Sequence, residues 1–124
     1  MMGQGNGMLF WEIKNKKLLQ HFISKNLKYM FIGPCDNVLL KVADPTSLGY
    51  LIKSQKDIVS SCVQLPDHMR KCELGYYGET KGGKIKVYEG VFGCLGDPRW
   101  VNTGSCWMRV SFLRELLEND KAME

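Results

Sequence analysis

The Gly82-Gly83 pair most constrains the fold of this chain, because it lies between two runs rich in aromatic and β-branched residues. Two adjacent glycines adopt the positive φ angles of a tight hairpin turn without steric cost. The pattern therefore predicts that residues 72–80 and 84–92 form two antiparallel strands.

The last third of the chain continues with one more strand and a helix. Alternating side chains predict a strand over residues 105–110, and the apolar spacing that follows predicts a helix over residues 112–119. Ser111 is a residue type that favours the position before a helix, so we expect it to be the N-cap.

The first third of the chain predicts two strands around one helix. Residues 9–13 are apolar and predict a first strand. Asn15 is expected to cap a helix over residues 16–25, and Asn26 to end it in the left-handed conformation. A second strand is predicted over residues 28–32.

The middle of the chain predicts a hairpin, a helix and a further strand. An apolar run over residues 37–42 follows the strand at 28–32 closely enough to predict a hairpin. Asp44 as N-cap and Pro45 at the first helical position predict a helix start. Val and Ile residues over 58–63 favour a strand above a continuation of that helix.

Taken together, these elements predict an α+β fold. We expect a twisted or barrel-like antiparallel sheet of about five to six strands, with two to three helices packed on it. The chain has 124 residues, which suggests a single domain over residues 8–124, preceded by a flexible glycine-rich tail over residues 1–7. No apolar run reaches the roughly 18 residues of a membrane span, so no membrane partner is expected.

The net charge of +4 is concentrated near the N-terminus, where the first 35 residues hold five lysines against a single acidic residue, Glu12. Lysines mixed with aromatic residues can bind a polyanion, although a solvated helix face over an aromatic core has the same composition. The oligomeric state is left open.

The five cysteines are expected to be reduced thiols, which predicts a cytoplasmic location. A set with thiol and imidazole groups could in principle hold zinc. It comprises Cys62, His68, Cys72 and Cys94. The close cysteine pairs of zinc sites are absent, so buried small thiols are favoured and neither a metal nor another cofactor is predicted. Cys106 could be a nucleophile, but no catalytic motif accompanies it.

The candidate ligand site is a stripe of basic and aromatic side chains on two predicted strands. Its members are Lys84, Lys86, Tyr88, Trp107 and Arg109. Cationic groups would neutralise phosphate, and the aromatic rings would stack on a base. A register error of one residue would instead bury Trp107.

The stripe predicts a small non-enzymatic module that binds a phosphorylated ligand, either a nucleotide or single-stranded nucleic acid. The alternative is a protein-binding inhibitor or adaptor, for which Trp, Tyr and Arg would form the hot spot. A cysteine-dependent enzyme built on Cys106 is the third hypothesis.

Overall fold

The computed structural model describes residues 8–64 and 100–119 with their side chains, and residues 76–79 and 85–88 as backbone. Within these residues there are four helices and five strands. The helices are α1 (Met8–Asn15), α2 (Leu18–Ser24), α3 (Pro45–Ser54) and α4 (Val110–Glu118). The strands are β1 (Tyr29–Ile32), β2 (Ile58–Gln64), β3 (Tyr76–Glu79), β4 (Ile85–Tyr88) and β5 (Trp100–Arg109).

The ten-residue strand β5 is the common partner of the sheet. Trp107 pairs with Phe31 of β1 on one side and with Val59 of β2 on the other, and both pairings are antiparallel. The β3–β4 hairpin joins β5 through one residue pair, Tyr76 with Val101. The main part of the sheet is therefore three-stranded, in the order β1–β5–β2, with β5 in the centre. The β3–β4 hairpin attaches near the N-terminal end of β5, at Val101.

This arrangement corrects the predicted fold. A barrel-like sheet of five to six strands with two to three helices is wrong, because no pairing among the described strands closes the sheet and four helices accompany it. Among the described strands, β1, β2 and β3 each pair with β5, and β4 pairs with β3. No edge strand pairs with another edge strand, so the sheet stays open.

Helices cover both faces of the sheet. On one face, α1, α2 and α4 enclose a buried apolar cluster that includes Met108 of β5. Its other buried members are Ile13, Leu19, Val110, Leu113 and Leu117. On the opposite face, α3 packs against β2 and β5 and contributes the fully buried Leu51.

Several local predictions are confirmed. The strands at β1 and β2, the antiparallel β3–β4 pairing and the strand at β5 are all present. Asn26 has a φ of 54°, and the amides of Asn26 and Leu27 donate to the carbonyls of Ile23 and Phe22, which is a Schellman ending for α2. The Gly82-Gly83 turn and the tail at residues 1–7 lie outside the described residues.

Two predicted strands are wrong. Residues 9–13 belong to helix α1, which buries Ile13 while Leu9 and Trp11 stay exposed. Residues 37–42 form a loop with no ladder partner among the described strands. The predicted Ser111 cap is also wrong, since α4 begins at Val110 and its N-cap, Arg109, makes no side-chain capping bond. Among the described residues, none of the helices combines the length and apolarity needed to cross a bilayer.

Candidate functional site

The five residues of the predicted stripe do not appear as one described surface. Lys84 lies outside the described residues, and only the backbone of Lys86 and Tyr88 is described, on β4. Strand β3 separates β4 from β5 and meets β5 at Val101, six residues from Trp107. The ligand-binding role of these five residues therefore stays a prediction.

Trp107 is placed in the interior of the fold. Its side chain is 8% exposed, and its indole N–H donates to the backbone carbonyl of Asp44 at 3.1 Å. Its ring meets Phe31 edge to face, with 5.4 Å between the centroids and 64° between the planes. These contacts hold the start of α3 against the sheet, and they leave little of the indole ring accessible to a ligand.

Arg109 lines a basic cleft of about 360 Å³ at the end of β5, together with Lys28 and Arg114. The Arg109 Nε donates to the carbonyl of Lys56 at 2.8 Å. Arg114 bonds Glu118 at 2.8 Å, and this hydrogen bond raises the pKa of the guanidinium. Much of the positive charge in the cleft is thus already engaged within the protein.

At the opposite end of the sheet, residues 33–44 connect β1 to α3 and form the longest loop in the described part of the chain. Connections of this length in compact domains are often functional. The start of the loop packs against β5 at Gly104. The ring of Pro34 lies so close to this glycine that a Cβ added there would be 3.6 Å from it. Gly104 has a φ of 76°, a conformation that glycine adopts most easily.

The two carboxylates of this loop have different roles. Asp44 caps α3: one of its oxygens accepts from the Ser47 hydroxyl at 2.8 Å and from the Ser47 amide at 3.0 Å. These bonds lower the pKa of Asp44, with the hydroxyl bond as the main cause. Asp36 is exposed and makes no hydrogen bond or ion pair with the described residues. Its carboxylate is therefore available to a ligand.

Polar groups of β5 lie beside the start of the loop. The Thr103 hydroxyl donates to the carbonyl of Ser61 at 3.0 Å and is 2.9 Å from the hydroxyl of Ser105. The Asn102 side chain accepts from the amide of Gly104 at 3.0 Å. We call residues 33–37 together with residues 102–104 the loop edge. The contact between Pro34 and Gly104 joins these two stretches. On the loop edge, the exposed carboxylate of Asp36 can accept hydrogen bonds from hydroxyl groups of a ligand or hold a cation.

The sequence analysis does not single out Asp36, because the hairpin predicted between residues 28–32 and 37–42 makes this residue part of a connecting turn. The signal was present in Gly33-Pro34 and Asp36-Asn37, since all four residue types favour turns. The Asn37 side chain does accept from the amide of Leu39 at 3.1 Å, as a loop-forming asparagine does.

The thiols offer no activated nucleophile in the described residues. Cys106 is half-buried, and burial raises the pKa of its thiol, which disfavours the reactive thiolate. Of the zinc set considered above, only Cys62 lies in the described part of the chain, where no cluster of three metal-ligating side chains occurs.

Comparison with known proteins links the chain to sugar-nucleotide enzymes. The model of the family described as UTP–glucose-1-phosphate uridylyltransferase matches residues 1–90. UDP-N-acetylglucosamine diphosphorylase 2 of Arabidopsis thaliana is 34% identical over 85 residues, which are 68% of this chain and 17% of the plant protein. The chain thus spans about one sixth of that relative.

Solved structures agree with this link. An Entamoeba histolytica protein described as a UDP-N-acetylglucosamine pyrophosphorylase has a TM-score of 0.75 and 25% identity, over 97% of this chain and 32% of that protein. A Trypanosoma brucei UDP-glucose phosphorylase has a TM-score of 0.74 over 95% of this chain and 28% of its own; at 16% identity it shows the fold alone.

These matches overturn the functional prediction. The non-enzymatic binding module is wrong, and so are the inhibitor or adaptor and the cysteine-dependent enzyme, because the matching family is one of uridylyltransferases. The matched residues include positions 33–37 of the loop edge, whereas Arg109 and Arg114 of the basic cleft lie beyond them.

Proposed function

Because the chain belongs to the UTP–glucose-1-phosphate uridylyltransferase family, we propose that it takes part in the transfer of a uridylyl group from UTP to a sugar 1-phosphate. In this reaction a phosphate oxygen of the sugar attacks the α-phosphorus of UTP. The bond between the α- and β-phosphates breaks, pyrophosphate leaves, and a UDP-sugar forms. The family match over residues 1–90 is the observation that carries the proposal.

The sugar we propose is N-acetylglucosamine. The Arabidopsis relative, at 34% identity, is named for UDP-N-acetylglucosamine, and so is the Entamoeba structure at 25%. The Trypanosoma UDP-glucose enzyme is only 16% identical. The substrate assignment thus follows the proteins with the higher sequence identity.

Within this chain we assign the loop edge to the substrate. UTP enters such reactions as its magnesium complex, and magnesium is commonly held by one or two carboxylates in addition to the phosphates. Asp36 is the loop carboxylate that has no structural task among the described residues, whereas Asp44 is committed to the helix cap. A carboxylate at this position would orient the magnesium–phosphate group for in-line attack.

A chimeric enzyme tests the proposal. The matched segment of the Arabidopsis relative is replaced by the aligned residues of this chain, and pyrophosphate release is measured from UTP with N-acetylglucosamine 1-phosphate or glucose 1-phosphate. We expect activity with a preference for the amino sugar. A folded chimera that neither releases pyrophosphate nor binds the UDP-sugar would refute the proposed function.

The Asp36 assignment has its own test in the same chimera. Asp36→Asn keeps the size of the side chain and removes its charge, so we expect kcat/KM to fall at least about 100-fold, the scale on which a single electrostatic contact to a transition state acts. Asp57→Asn is the matched control, because Asp57 is also exposed but lies near Arg109 at the other end of the sheet. Equal activity of the two variants would contradict the assignment.

A further inference from the structure

Trp107 of β5 contacts the chain at both ends of the loop between β1 and α3, residues 33–44. Its indole N–H donates at 3.1 Å to the backbone carbonyl of Asp44, the last residue of the loop. Its ring meets the ring of Phe31, two residues before the loop begins, edge to face at 5.4 Å. We infer that Trp107 is a positioning residue for Asp36, because these two contacts fix both ends of the loop that carries this carboxylate. The inference rests on the proposed function, in which Asp36 orients the magnesium–phosphate group.

The start of the loop packs closely against Phe31. A Cβ added to Gly33 would lie 3.0 Å from the Phe31 ring and 2.6 Å from the side chain of Leu40. Leu40 belongs to the second half of the loop, so residues before and after Asp36 meet beside the same ring. Trp107 supports that ring from the sheet, because Phe31 and Trp107 are also direct partners in the β1–β5 ladder.

The end of the loop is joined to the sheet at Asp44. This residue also starts α3: its carboxylate accepts from the Ser47 amide at 3.0 Å, and its carbonyl accepts from the Leu48 amide at 3.3 Å. Those bonds fix Asp44 relative to the helix. The indole bond of Trp107 fixes the same residue relative to β5, and so holds the end of the loop in place on the sheet.

Asp36 depends on these supports because its own side chain makes no hydrogen bond or ion pair with the described residues. Beside it, the Asn37 side chain accepts from the amide of Leu39 at 3.1 Å, which orders the turn locally. A local turn does not fix the place of the loop, and a loop released at one end samples more conformations. Misplacing a catalytic group by about 1 Å can cost up to about 100-fold in rate, so release of the loop should slow the reaction.

Limited digestion of the whole chain with trypsin tests the loop contacts directly, since Lys41 lies in the loop and is exposed. Trp107→Phe keeps an aromatic ring against Phe31 and removes the N–H donor. We expect cleavage after Lys41 to become at least about fivefold faster, the factor that corresponds to one lost hydrogen bond. Leu117→Ala is the matched control, because Leu117 is buried on the opposite face of the sheet and its loss also destabilises the fold. The control should change cleavage after Lys41 by less than about twofold.

A longer chimera measures the consequence for the reaction. The region of the Entamoeba protein that is similar to 97% of this chain is replaced by this chain, so that Trp107 and Asp36 lie in one enzyme. At a temperature where the variants are folded by circular dichroism, we expect Trp107→Phe to lower kcat about tenfold. It should also raise the magnesium concentration for half-maximal rate, with the KM for the sugar 1-phosphate unchanged. Leu117→Ala should leave all three quantities unchanged, because a general loss of stability does not alter the magnesium dependence of the folded enzyme.

Equal acceleration of cleavage after Lys41 in the two variants would overturn the inference, and so would faster cleavage with unchanged kcat and magnesium dependence. If Trp107→Phe does not fold, Phe31→Leu removes the ring contact and leaves the indole bond, and the same changes in cleavage and kcat are expected. An unsubstituted chimera that folds but is inactive would refute the proposed function. The trypsin comparison needs no activity, so it would still decide whether Trp107 fixes the loop.

Discussion

Replacing Trp107 with Phe tests whether the sheet anchors the beginning of helix α3. The change removes the indole N–H that donates to the Asp44 carbonyl at 3.1 Å, a bond worth about 1 kcal/mol net. It also removes about two buried carbon groups, at roughly 0.8 kcal/mol each. The Asp44 carbonyl keeps the amide of Leu48 as a donor at 3.3 Å, so no further penalty for an unpaired acceptor is added. We expect a loss of about 2–3 kcal/mol in the free energy of unfolding.

Urea denaturation followed by far-UV circular dichroism is the suitable assay, because tryptophan fluorescence would change with the substitution itself. Trp100→Phe is the matched control, because Trp100 lies on the same strand but is 47% exposed. This substitution should change the free energy of unfolding by no more than about 0.5 kcal/mol. Trp107→Ala should cost more, about 3–5 kcal/mol, since the edge-to-face contact with Phe31 is also lost.

The reasoning would be refuted if Trp107→Phe and Trp100→Phe had the same unfolding free energy within error. In that case neither the hydrogen bond nor the burial of the indole would hold α3 to the sheet. A change in the denaturant slope of Trp107→Phe alone would indicate a different unfolded or native compactness, and the comparison would then use the midpoints of the thermal transitions.

Two further predictions concern titratable groups. Because the folded state lowers the pKa of Asp44 from its ordinary 3.8, the carboxylate stabilises the fold above that pH and the contribution is lost on acidification. The urea midpoints of the wild type and Asp44→Ala should therefore differ most near pH 6 and converge below about pH 4; a constant gap would contradict the capping role. Burial raises the pKa of Cys106 from its ordinary 9.0, so maleimide at pH 7.5 should modify the exposed Cys35 well before Cys106. Peptide mass spectrometry over time measures both rates, and equal rates would show that Cys106 is accessible as a thiolate.

The predictable parts of the fold are those in which a local signal has one structural meaning. The Asp44-Pro45 pair predicts a helix start, and the structure shows the cap with Ser47. Asn26 predicts the end of α2 for a similar reason, since few residues other than glycine adopt a positive φ readily. Such signals act within a few residues and do not depend on distant partners.

The two misassigned strands are short apolar runs, whose periodicity does not distinguish a strand from a buried helix or an exposed loop. Residues 9–13 are helical because Ile13 and Phe10 reach the core shared with α2 and α4. Val38 and Leu39 have strand-like composition but pair with no described strand, because β5 already has β1 and β2 on its two edges at the level of Trp107. Whether Val38 and Leu39 find a strand partner depends on β2 and β5, which lie far from them in the sequence. A local sequence pattern does not contain this information.

The burial of Trp107 on strand β5 could not be predicted from the sequence for a related reason. Reading alternation as one buried and one solvated face assumes that only one side of a strand is covered. In β5 the neighbours Trp107 and Met108 are both buried, one towards α3 and the other towards the cluster of α1, α2 and α4. Because both faces are covered, the interior of the sheet has little room for a polar ligand. We therefore expect the side chains that bind such a ligand to lie where strands end. Asp36, four residues beyond the end of β1, meets that condition, which is why we assign it and not the buried tryptophan to the substrate.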